Sequence, residues 1–514
     1  MTKTILRGRF VVSDPALLPE AGIVEDAGVL VAGDTVEAVG PFEALARANA
    51  DAAVLGSDRH MVIPGLINAH HHGRGLAAIR LGVLDDTLER WMLDWFAQAP
   101  LDVYLDTLHA NLRMIRSGVT TVIHSGYART PHAIEAETRA ALAAYVDAGL
   151  RVAYAVGFED RLWPVHDEDG RFLASLPAEL AERTRTTFAP ASAGDVDEYF
   201  ALMDHLREDY GGEALVTLLC SPSWPIWCSD AFLERVAMEA RRRGLGIHTH
   251  ALESPLERAW YERCRGESAV VQLHNLGLLG PKTSLAHGTW LSEDDIALVA
   301  ATGTSVCHNA SSNLRLHNGI APVARMLAAG VNLGIGMDSY TLNGEDDMLE
   351  EMRLVAALHR QPTGAPFSAH PQSGDVLRMA TVGGARASAI EARLGTLLAG
   401  SAADAVLIDF AALSHPYLDP RVSPIDGLIA LARPKHVDTV MIAGKLVLEK
   451  GRFRGVDEAG IEAQLAAVAA RGPDSAHQAF AALIDELKPH IARYYETWAL
   501  EPAPASFYQV NRRR

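Results

Sequence analysis

Between Val62 and Asp338 the chain repeats one pattern, a short apolar segment followed by a helix-length amphipathic stretch. The apolar segments read VIPGLINAH, VTTVIH, RVAYAVGF, LVTLLCSP, LGIHTH, SLAHG, TSVCHN and NLGIGMD. Short apolar runs between helical patterns are strands buried on both faces, and eight of them predict a distorted (β/α)₈ barrel, an α/β fold. Several segments end in a polar residue: His70, His124, His250, His287, His308 and Asp338. Catalytic groups of such barrels sit at the C-terminal strand ends, so these side chains are expected on one rim.

The two ends of the chain have a different texture. TILRGRFVVSD and GVLVAGDTVEAVG, with the turn dipeptide Gly33-Asp34, read as β-structure, and LGTLLAGSAADAVLIDF and VDTVMIAGKLVLEKGRF repeat that texture late in the sequence. The expected organisation is residues 1–60 as the first part of a β-sandwich and 61–392 as the barrel. Residues 393–455 would complete the sandwich, and 456–514 would form a helical C-terminal extension. There Phe480, Leu483, Leu487, Ile491 and Tyr494 recur at helical spacing, with Pro489 expected to kink or split the helix. Their default role is a packing face, within the chain or across a dimer.

The chemistry begins at PGLINAHHHG. Residues two apart on a strand point the same way, so His70 and His72 share a face while His71 points to the other. Two imidazoles on one rim make half a metal site, and downstream segments add to them: GIHTHALES presents His250 and, three residues on, Glu253, while SLAHG presents His287 and GIGMDSYTLN presents Asp338. Neutral imidazole suits Zn²⁺ and Fe²⁺, and a carboxylate completes a site with an open position for water.

PGLINAHHH, IHTHALE, LAHG, HNASSNLRLHNGIAPVARMLAAGVNLGIGMD and GTLLAGSAADAVLID together resemble the amidohydrolase superfamily, in its cytosine deaminase, S-adenosylhomocysteine deaminase and triazine hydrolase branch. The similarity spans roughly residues 1–455. It implies that His70, His72, His250 and Asp338 hold one divalent metal, zinc in the first instance with iron or manganese as alternatives. It also implies that Glu253 shuttles protons and that His287 hydrogen-bonds or ligates beside the water. LVTLLCSP carries no lysine of the bridging kind, so a mononuclear centre is expected. A metal lowers the pKa of its water from 15.7 toward roughly 7 to 9, which lets Asp338 take the proton while Glu253 acts as general acid. His287 would stabilise the developing anionic oxygen. The resemblance places the ligand three residues before the glutamate, so His248 and His71 are read as structural.

The implied reaction is hydrolysis of a carbon–nitrogen bond: deamination of an N-heterocycle or removal of its substituted-amino group. The alternative is hydrolysis of an aryl amide, urea or carbamate. A non-heme iron oxygenase and an inactive scaffold are weaker readings, since the acid Glu253 and the full set of polar strand ends speak against them. Trp91 and Trp95 in TLERWMLDWF and Trp224 and Trp227 in SPSWPIWCSD suggest an aromatic or apolar small-molecule substrate. His308 is read as a substrate contact or as a loop anchor. Tyr340 stands in a pocket wall where the sequence departs from its relatives, and Arg74, Arg129 and Arg161 are candidate carboxylate binders.

A formal charge of −18 disfavours nucleic acid or anionic membrane as a partner. Arg512, Arg513 and Arg514 read as a solvated tail. The four scattered cysteines and the lack of a signal-like or membrane-spanning apolar run point to a cytoplasmic protein. The apolar C-terminal helix and the resemblance favour a homo-oligomer.

Overall fold

The computed structural model describes residues 3–496 and 498, except 20, 129–132, 162–163, 168–169, 189–195, 361–369 and 391–392. Arg129 and the terminal arginines lie outside the described residues.

All eight expected apolar segments form strands. In chain order they are Leu66–His71, Val119–Ser125, Arg151–Phe158, Val216–Pro222, Gly246–Ala251, Thr283–His287, Ser305–His308 and Asn332–Ile335. Each pairs in parallel with the next in a single eight-stranded sheet. The second strand, VTTVIHS, is buried along its whole length, which is why it reads as a continuous apolar run rather than an alternating one. The helices between the strands carry their own start and stop signals. Asp102 caps Val103–Arg116 by accepting from Leu105 N, and Ser292 with Asp295 forms a capping box at Glu293–Thr302.

The barrel closes between its first and last strands. Met337 N and Asp338 N both donate to the His70 carbonyl, at 3.1 and 2.9 Å, just beyond the end of the eighth strand. Gly336 makes this approach possible, because a Cβ there would lie 2.1 Å from Asn309 Oδ1 and 2.7 Å from His70 Cβ.

Both ends of the chain combine beside the barrel, but their strands pair as one nine-stranded sheet. The seam is His60–Pro64, which runs antiparallel to Ala405–Asp409 with Met61 opposite Ile408. Gly33 and Asp34 form the turn between the paired strands Ile23–Ala32 and Thr35–Pro41. This sheet encloses its own apolar cluster, including Leu6, Val29, Val62, Leu407 and Met441. A buried ion pair of Arg151 in the third barrel strand with Asp404, at 3.1 Å, ties the sheet to the barrel.

The C-terminal segment folds back onto the barrel's rim. Ser475–Glu496 is one helix containing Pro489, not two. Its Leu483, Ile484, Leu487 and Ile491 are buried against Leu93, Phe172 and Leu180, so the apolar face packs within the chain. Among the described residues no helix is long and apolar enough to cross a membrane.

Candidate active site

The expected ligand residues converge. His70, His72 and His250 form one cluster whose nitrogens lie within 4.8 Å of one another; His70, His287 and Asp338 form a second, and His250, Glu253 and His287 a third. Asp338 Oδ1 stands 3.1 Å from His70 Nε2 and 3.0 Å from His72 Nε2. His287 Nε2 lies 3.5 Å from Glu253 Oε2 and 3.9 Å from Asp338 Oδ2.

The other ring nitrogen of each histidine is held by the fold. His72 Nδ1 donates to the Ser125 carbonyl at 2.8 Å, and His250 Nδ1 donates to the Ser223 carbonyl at 2.6 Å. His287 Nδ1 meets Asn313 Oδ1 at 2.9 Å. His70 Nδ1 meets His248 Nε2 at 2.8 Å, and His248 Nδ1 meets the Ser284 hydroxyl at 2.8 Å. The carbonyl and amide oxygens place the Nδ1 proton on His72, His250 and His287, so these three imidazoles turn an Nε2 lone pair inward, and His70 does the same when its Nδ1 donates to His248. Hydrogen-bonded outer nitrogens orient and strengthen imidazole ligands.

Electrostatics agree with that assignment. Burial lowers the pKa of His72 and His287, and lowers those of His70 and His250 well below the usual imidazole value, keeping the rings neutral. Glu253 goes the other way: burial, then the nearby charges of Asp338, Glu257 and Glu89, push it well above its ordinary value. A buried carboxyl displaced upward in this way suits the role of a proton donor.

The residues present fit a divalent cation. Among the described residues, buried His70 Nε2 and His287 Nε2 have no hydrogen-bond partner, although buried polar atoms are almost always satisfied. Inward lone pairs beside an ionised carboxylate repel one another unless a positive charge lies among them, and the donor set of imidazole nitrogen and carboxylate oxygen suits zinc.

Several supporting residues were not anticipated. Ser312 donates to Asp338 Oδ2 at 2.5 Å, and Asn318 Nδ2 donates to Glu253 Oε1 at 3.0 Å. Glu257 accepts from the backbone N–H groups of Leu252 and Glu253 at 2.9 and 2.7 Å, fixing the turn that carries the acid. Asn313, Ser312 and Asn318 all come from the run HNASSNLRLHN, whose density of short polar side chains was their signal.

The cluster opens into a cavity of about 450 Å³. Trp91, Trp95, Trp224 and Trp227 all line it, with Trp91 and Trp95 stacked at 5.8 Å and Trp224 and Trp227 edge-to-face at 5.0 Å. Arg74 lies 4.2 Å over the Trp95 ring and donates to the Tyr127 hydroxyl at 2.8 Å. Glu89, a further buried lining carboxylate, accepts from the Ser254 hydroxyl and lies 3.3 Å from His166 Nε2.

Two expected substrate contacts sit elsewhere. Tyr340 is not among the described lining residues; it packs behind Trp91 at 4.9 Å, donates to Asp85 at 2.6 Å and lies beneath Arg315. His308 is also absent from the lining, being fully buried with its Nε2 2.9 Å from His359 Nε2, in the anchoring role. The other neighbours are structural too. His71 meets Asp346 at 3.3 Å, and His124 meets the Tyr145 hydroxyl at 2.9 Å.

Comparison with known proteins agrees with this architecture. The profile of the Amidohydrolase family matches residues 61–447. A 5-methylthioadenosine/S-adenosylhomocysteine deaminase of Moorella thermoacetica is 32% identical over 467 residues, covering 89% of this chain and 98% of that protein. The crystal structure of an adenosine deaminase from Xanthomonas campestris with bound zinc superposes with a TM-score of 0.76 at 28% identity, covering 91% of this chain and 98% of that one. A triazine hydrolase from Arthrobacter aurescens shares the fold, with a TM-score of 0.75 at 22% identity and coverage of 92% and 100%. The chain belongs to the amidohydrolase family and is a metal-dependent hydrolase of carbon–nitrogen bonds.

Proposed function

We propose that the protein removes the exocyclic amino group of an adenosine-like nucleoside by hydrolysis, releasing ammonia and leaving a ring carbonyl. The observation that carries this reading is the convergence of His70, His72, His250, His287 and Asp338 at the cavity, with Glu253 Oε2 3.5 Å from His287 Nε2. The substrate class is supported by the Moorella relative, which is named for two adenosine derivatives. A purine also suits a cavity walled by four indoles, where aromatic stacking adds about 0.5–1.5 kcal/mol per pair.

In this reading His70, His72, His250 and Asp338 hold one divalent cation. Zinc is preferred over iron or manganese because the Xanthomonas structure carries it. Bound there, such an ion supplies Lewis acidity that makes water a nucleophile near neutral pH. Glu253 donates its proton to the ring nitrogen next to the carbon under attack. Asp338 accepts one proton from the attacking water and passes it to the departing amino group, and the remaining hydroxyl proton returns to Glu253 as the ring carbonyl forms and ammonia leaves. His287, fixed by Asn313, orients the attacking oxygen. Glu89 is the acceptor for sugar hydroxyls, because it brings a buried carboxylate to the cavity wall from outside the ligand set.

The test is ammonia release from 5′-methylthioadenosine, S-adenosylhomocysteine and adenosine, run beside aryl amides, ureas and carbamates. Ammonia from the nucleosides, with the shift in ultraviolet absorbance that converts adenine to hypoxanthine, is expected. Amine release from the amides, ureas or carbamates alone would assign the site to the alternative chemistry.

A further inference from the structure

The helix Ser475–Glu496 lies beyond residue 447, where the family profile stops matching, yet its side chains reach the substrate cavity. His477, Phe480 and Tyr495 line the same cavity as His72, Glu253 and Asp338. The helix is firmly seated there. Its Ile484, Leu487 and Ile491 are fully buried, and Lys488 is ion-paired with Asp94 on the helix that carries Trp91 and Trp95. Near its other end the Tyr495 hydroxyl accepts from His166 N at 2.9 Å. Phe480, half-buried, packs against Phe188 with ring centroids 5.8 Å apart.

We propose that this helix is a specificity-determining wall of the active site, with Phe480 and Phe188 receiving an apolar substituent carried by the substrate away from its reacting carbon. Phe480 and Phe188 come from helical segments outside the barrel strands whose ends carry the metal-ligand candidates, which places their wall against a part of the substrate other than its reacting carbon. Of this helix's basic side chains only His477 is among the described lining residues, and its Nδ1 lies 2.7 Å from Asp474; Lys488 is engaged by Asp94 and Asp485. A charged end on the substrate would therefore lose its hydration against an aromatic surface, whereas a thioether or alkyl group would gain by burial. The choice of nucleosides as probes rests on the deaminase reading; the wall itself does not.

The experiment compares wild-type protein with Phe480→Ala and Phe480→Leu, measuring kcat/KM for 5′-methylthioadenosine and for adenosine. The ratio of the two is expected to fall about tenfold in Phe480→Ala and to recover in Phe480→Leu, the scale of discrimination that one or two buried methylene groups provide. An unchanged ratio, with both substrates affected alike, would overturn the proposal and leave the helix a structural brace. Should wild-type protein release ammonia from neither nucleoside, the deaminase reading fails. The wall is then tested by quenching of the cavity tryptophans with N-methyl and N-butyl aminotriazines. Selective loss of N-butyl affinity in Phe480→Ala supports it, and equal affinities in the two proteins overturn it.

Discussion

His287 and Asp338 both adopt left-handed backbone conformations, with φ of 72° and 54°. For residues other than glycine that region costs about 1–2 kcal/mol, and such outliers persist where the surroundings over-determine them. Here Asn313 holds the His287 ring and the His70 carbonyl holds Asp338 N, so the cost is offset by bonds that aim both side chains into the cluster. Glu253 is positioned with equal care, since Asn318 binds its side chain and Glu257 its backbone. With Glu253 as the proposed acid rather than a ligand, Glu253→Gln is predicted to lower kcat by about 10²–10⁴ while elemental analysis still finds bound metal. Loss of metal together with activity would show that the carboxylate serves the ion rather than the proton.

At the scale of elements, strand alternation and strand ends were enough to bring the candidate residues together, while their proposed roles as ligands came from the family resemblance. His70 and His72 stand two apart, and His250, His287 and Asp338 each follow an apolar run, so spacing alone placed them on one rim. The same logic could not reach Phe480 or Glu89, whose approach to the cavity depends on how distant helices dock. It also misjudged Tyr340, because the cavity-facing side of that wall is taken by Trp91. Helix Met348–Leu358 shows a related effect, for its Glu351 is buried and accepts from Ser311 N at 2.9 Å. Burial raises this carboxyl from 4.5 to about 7. The folded state then holds a proton that the unfolded chain releases, so this residue's contribution to stability is full below about pH 4.5 and is lost as pH rises through about 7. Glu351→Gln is predicted to gain in Tm relative to wild type across that interval. Parallel Tm curves for the two proteins would contradict the prediction.

At the scale of the whole molecule, the barrel carries the proposed ligands, the sheet built from both chain ends braces it through Arg151 and Asp404, and the C-terminal helix lines part of the cavity. Such a division of labour leaves the ion with a second role, since a ligand that binds only the folded state stabilises it, by about 4 kcal/mol at a thousandfold excess over Kd. Chelation is therefore predicted to lower Tm, and re-addition of zinc to restore it. A Tm indifferent to chelator would mean that the inward-facing imidazoles are satisfied without an ion. The most direct measurement is ammonia release from 5′-methylthioadenosine by protein titrated with zinc after chelation. The account predicts activity that rises in proportion to bound zinc and levels off at about one ion per chain, the stoichiometry of a single site with three or four protein ligands. Ammonia release by metal-free protein, or activity that rises only with a second equivalent, would contradict it.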